Sequence, residues 1–150
     1  MALKNRTSHS TATFQKIQDV LALHGASKIM FDYDNGIATC ISFQIIIDNN
    51  PVSFRLPALI ENVTQIMYGG RFRGRKKNGN ILVITDSQRE QAFKTGWANI
   101  RDWIDAQMAL IETKQVQLFQ VFLPYAVTST GETIYEKVAS NPNLLLNSKN

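Results

Sequence analysis

Residues 27–56 read SKIMFDYDNGIATCISFQIIIDNNPVSFRL, and the fold turns on this stretch. Ile29, Phe31 and Tyr33 alternate with Lys28, Met30, Asp32 and Asp34, the period-two pattern of a half-buried strand. Asn35-Gly36 supplies the positive φ angles of a tight hairpin turn. Ile37, Thr39, Ile41, Phe43, Ile45 and Ile47 then fall on one face of a long second strand. A turn at 48–51 leads to a third strand, where Val52, Phe54 and Leu56 alternate with Ser53 and Arg55. The stretch predicts a three-stranded antiparallel meander.

Helical spacing takes over on both sides. Upstream, Phe14, Ile17, Leu21 and His24 recur at helical intervals after a cap at Thr11 or Thr13, and Gly25 ends the helix. Downstream, Pro57 is placed to open a helix with Leu59, Ile60, Val63, Ile66 and Met67 as its stripe. Residues 81–84 read as a short fourth strand returning to the sheet. Thr85 or Asp86 caps a long helix carrying Phe93, Trp97, Ile100, Ile104, Met108 and Ile111, with a break near Thr113 and a stop at Pro124. A short helix follows from Thr133. The order predicts one α+β domain over residues 11–140, a three- to four-stranded antiparallel meander packed by helices with a long C-terminal helix. Residues 1–10 and 141–150 read as flexible ends.

The 150 residues are 44% hydrophobic and 19% charged, enough apolar material for a core and too little charge for a disordered tail. A single cysteine, Cys40, excludes an internal disulfide and a cysteine-based zinc site. Two histidines, His9 and His24, exclude a histidine-rich metal centre. The first thirteen residues show no apolar signal core, and no apolar run is long enough to span a bilayer. A cytoplasmic protein without a membrane partner is the expectation.

One segment departs from this pattern. Residues 69–80 read GGRFRGRKKNGN, with Arg71, Arg73, Arg75, Lys76 and Lys77 around Phe72. The net charge of the chain is +4. Subtracting the loop's five leaves −1 on the rest, so the domain is nearly neutral and its cations are concentrated. Guanidinium groups fork onto phosphates, an aromatic ring stacks on an unpaired base, and glycines let the backbone follow a phosphate chain. Arg55 on a strand, with Lys94 and Arg101 seven apart on the long helix, are further candidate contacts.

No constellation of residues reads as catalytic, and no cofactor or metal is expected. Asp32, Asp34 and Asp48 are carboxylates near strand ends, but turns favour Asp at such places, and a metal-dependent nuclease is the weakest reading. Cys40 lacks a neighbouring histidine, and the glycine-rich loop lacks the Gly-Lys-Ser/Thr of a P-loop. Trp103 and Leu110 give the long helix a second apolar flank, which makes a homo-oligomer through that helix an expectation.

Several strings carry a likeness: Ile29-Met30-Phe31-Asp32-Tyr33, Phe54-Arg55-Leu56-Pro57, Trp97 with Asp102-Trp103, 106–110, and Val121-Phe122-Leu123-Pro124-Tyr125. Over about residues 11–138 the chain resembles a family of small, largely uncharacterised proteins of phages, prophages and other mobile elements. The resemblance implies a context of replication, recombination or counter-defence. Taken with the loop, the sequence predicts a non-catalytic binder of single-stranded or irregular nucleic acid. The alternative is an interaction protein that binds and inhibits a host protein.

Overall fold

The computed structural model describes the backbone of residues 2–69, 76–77, 80–81 and 83–145, and the side chains of residues 11–69 and 83–145. The predicted order of elements is present. Helix α1 (Ala2–Leu23) leads into strands β1 (Ala26–Asp34), β2 (Ile37–Ile47) and β3 (Asn50–Pro57). Helix α2 (Ile60–Thr64) runs directly into a wide π turn over Gln65–Gly69. A small hairpin, β4 (Lys76–Lys77) and β5 (Asn80–Ile81), precedes the long helix α3 (Asp86–Glu112). Helix α4 (Leu118–Phe122), a 3-10 turn (Leu123–Tyr125), helix α5 (Ile134–Ser140) and a 3-10 turn (Pro142–Leu145) complete it.

The sheet is antiparallel in the order β1-β2-β3. Both hairpin turns have two residues at positive φ, Asn35 (52°) with Gly36 (78°) and Asp48 (51°) with Asn49 (65°). Such turns match the right-handed twist of the strands they join. Ile41, Phe43, Ile45, Phe54 and Leu56 are buried on the face that meets the helices. Phe43 stacks on Phe54 with ring centres 5.2 Å apart, and Phe122 closes edge-on against both. On the other side of the core Phe14 meets Phe31 at 4.7 Å and Trp97 at 5.0 Å. The Trp97 Nε1–H donates to the carbonyl of Ala38.

Five expectations are corrected. Tyr33 is 60% exposed. Asp32 pairs with Cys40 but Tyr33 pairs with Ala38, so Thr39 is an extra residue that reverses the inward and outward sense of β2 at that end. Ala38 is therefore buried where Thr39 was expected. Pro57 closes β3 rather than opening a helix; Leu59 takes a left-handed conformation and α2 starts at Ile60. The π turn shifts the helical phase, leaving Ile66 84% exposed and outside the expected stripe. Finally, Ile81 pairs with Lys76 in a separate hairpin instead of joining the sheet. The place beside β3 is taken by Ala126, which bridges to Phe54, and by Val127, whose N–H donates to the Ser53 carbonyl at 2.8 Å.

Helix α1 begins at Ala2, well before Thr11, over a stretch with no apolar stripe to signal it. The break near Thr113 is real: Thr113 caps α3 and Lys114 has φ 64°. Trp103 packs edge-on against Phe122 and Tyr125 of the same chain, so α3's second flank is covered from within. Leu144 and Leu145 are exposed, and Leu146 lies outside the described residues. No helix among the described residues is long and apolar enough to cross a membrane.

Candidate nucleic-acid interface

Two well-anchored elements hold the ends of the basic segment. On one side Thr64 is buried, its Oγ1–H donating to the Ile60 carbonyl at 2.8 Å, and Gly69 is buried at the end of the π turn. On the other, Thr85 and Gln88 form a reciprocal cap at the start of α3. The two supports are locked together. Gly96 presents a bare patch of α3 to Ile60 and Val63 of α2, and Arg89 donates to Glu61 at 3.0 Å.

Between these supports, β4 pairs with β5 through Lys76–Ile81 and Lys77–Asn80. The backbone of Lys76 and Lys77 is thus part of a small hairpin. Asn78-Gly79 between the strands is a hairpin signal in its own right. Arg71, Phe72, Arg73 and Arg75 lie outside the described residues.

The three outlying candidates are placed differently. Arg55 sits on the open face of the sheet, in register with Ser42. Its Nη2 donates to Glu136 Oε1 at 2.9 Å and to the Gly131 carbonyl at 3.1 Å. Arg101 donates to its neighbour Asp102 at 2.9 Å. Lys94 is half-buried on α3. Two of the three guanidinium or ammonium groups are thus already engaged by carboxylates.

The open face of the sheet carries Lys28, Met30, Ser42, Gln44 and Ser53 around a shallow depression. Aromatic platforms that stack bases on a sheet need rings at such central positions, and this face has none. Asp34 and Asp48 adjoin opposite ends of the eleven-residue β2, about 35 Å apart, and cannot share one ion. No cluster of metal-ligating side chains occurs among the described residues. Cys40 is buried beside Asp32; burial, and secondarily that carboxylate, pushes its thiol above the usual range. That suppresses the thiolate a nucleophile would need.

No family model matches the chain, and neither a curated protein nor a solved structure matches it.

Proposed function

We propose that the chain is a non-catalytic nucleic-acid-binding protein that takes single-stranded or irregular nucleic acid on the basic segment 69–80. The observation that carries this reading is the charge distribution. Five cations and one aromatic ring fall within seven consecutive residues, Arg71 to Lys77, on a domain otherwise at −1. The segment is rooted between the buried end of the π turn and the capped start of α3. In this reading Arg71, Arg73, Arg75, Lys76 and Lys77 take phosphates while Phe72 stacks on a base. Lys94 adds charge, whereas Arg55 and Arg101 serve the fold through their carboxylate partners. A cytoplasmic role in replication or recombination of a phage or mobile element fits this chemistry.

Phosphate contacts position a ligand without reading its sequence. Binding is therefore tolerant of base sequence and sensitive to salt. Five phosphate contacts on a single strand give a slope of about −3.5 in log affinity against log salt. The test is fluorescence anisotropy with single- and double-stranded DNA and RNA at several salt concentrations. Saturable binding with a steep slope and a preference for single strands supports the reading. Weak, non-saturable binding to every oligonucleotide contradicts it.

A further inference from the structure

Strand β1 is an edge strand: it pairs with β2 on one side, and no strand among the described residues pairs with the other. Its unpaired edge, regular from Lys28 after an extra residue at Ser27, is a template for another strand. The order of side chains along this edge is self-complementary. Ala26–Asp34 has its midpoint at Met30, with Lys28 two residues before it and Asp32 two residues after.

From this we infer that β1 is a dimerisation edge, pairing antiparallel with β1 of a second copy about a two-fold axis through Met30. An axis perpendicular to the sheet keeps the helix-covered faces of both copies on one side. It also brings the regular stretch Lys28–Asp32 of both strands into register, with Ser27, the extra residue against β2, beyond it. Lys28 of each copy then stands opposite Asp32 of the other, Met30 opposite Met30, and Ile29 opposite Phe31. Moving the axis to Ile29 sets Lys28 against Met30, and moving it to Phe31 sets Met30 against Asp32; the Met30 axis alone sets Lys28 against Asp32 and Met30 against itself.

Three observations agree with this register. Neither Lys28 nor Asp32 has an ion-pair partner among the described residues. Met30 is 59% exposed in the single chain. Ile29 and Phe31, though on the core face, are only half-buried. A second β1 pairs the charges, covers the methionine and extends the core face. Charged edge residues ordinarily repel a neighbouring strand, but this order presents opposite charges to a copy of itself. The product is a continuous six-stranded antiparallel sheet with an isologous interface. The edge replaces α3 as the oligomer surface, since no large apolar side chain of α3 is exposed. This inference stands on β1 alone and is independent of the basic segment.

Sedimentation velocity on the full chain tests it. The wild type sediments as a species of twice 16.9 kDa, dissociating on dilution. Lys28→Asp or Asp32→Lys sets like charges opposite each other twice and weakens dimerisation roughly thirtyfold. The double swap K28D/D32K restores opposite pairs and restores the dimer. Circular dichroism checks that each variant is folded. For the wild type, hydrogen exchange gives a second reading that needs no variant: alternate β1 amides are protected at high protein concentration and lose protection on dilution. A wild type that stays monomeric up to ~0.1 mM overturns the inference, given that weaker association lies outside the range of a specific dimer. A dimer indifferent to the single substitutions, or not rescued by the double swap, overturns it too.

Discussion

Arg55 on β3 and Glu136 on α5 stand 81 residues apart in the chain and meet at 2.9 Å. The contact ties the C-terminal segment to the sheet edge, beside the backbone bond from Val127 to Ser53. It also takes a cation that the sequence offers as a phosphate contact and gives it a structural task. Arg55→Ala is therefore expected to lower the melting temperature while leaving oligonucleotide affinity unchanged. Thermal melts and anisotropy titrations on the same preparation separate the two effects.

Glu136 adds a pH dependence of known sign. The Thr133 backbone N–H, donating to its carboxylate at 2.7 Å, is the main cause that holds Glu136 below the usual carboxylate range. Arg55 contributes less. A carboxylate whose folded pKa is depressed stabilises the fold above its unfolded pKa, and the benefit is lost as pH falls through the folded value. Glu136→Gln should flatten the acid side of the melting-temperature profile and leave its neutral-to-alkaline side parallel to wild type. An unchanged acid limb would contradict this role.

The hairpins, the long helix and its break were legible because alternation, helical spacing and turn residues all agreed there. Thr39 falls on the opposite face to the one its alternation suggests because a bulge there reverses β2 without changing the pattern of residue types, and Tyr33 is exposed near the end of β1, opposite Ala38. Ile66 was misread because a π turn alters the helical phase, which spacing alone does not reveal. The edge partner of β3 lies more than seventy residues downstream at Ala126 and Val127, and no local signal marks it. As for the candidate site, its charge was plain in the composition of one segment. The engagement of Arg55 and Arg101 depends on partners that only the fold brings close.

The support beneath the basic segment depends on a residue without a side chain. A Cβ at Gly96 would lie 2.5 Å from Ile60 Cδ1 and 3.4 Å from Val63 Cγ2. Gly96→Val is expected to destabilise the fold by about 2 kcal/mol through overpacking. Urea denaturation checks the value. Ile60→Ala in the same background should recover part of the loss, since it removes the atom in conflict.

The aromatic centre makes a larger demand. Phe122 is fully buried and touches Phe43, Phe54 and Trp103. Phe122→Ala should cost about 3–5 kcal/mol, the range for a truncated core aromatic. A loss under 1 kcal/mol would show that α4 is not part of the cooperative core.

Cys40, 8% exposed and with its thiol pushed up by burial, should resist alkylation in the native protein at mildly alkaline pH. It should react fully in denaturant. Rapid native labelling, followed by mass spectrometry, would contradict its placement.

The central claim is that the basic segment binds nucleic acid. The direct measurement replaces Arg71, Arg73, Arg75, Lys76 and Lys77 by serine and titrates a fluorescent single-stranded oligonucleotide at two salt concentrations. The account predicts that saturable binding and its salt dependence both disappear while the melting temperature stays close to wild type. Unaltered affinity and slope in the folded variant would contradict it.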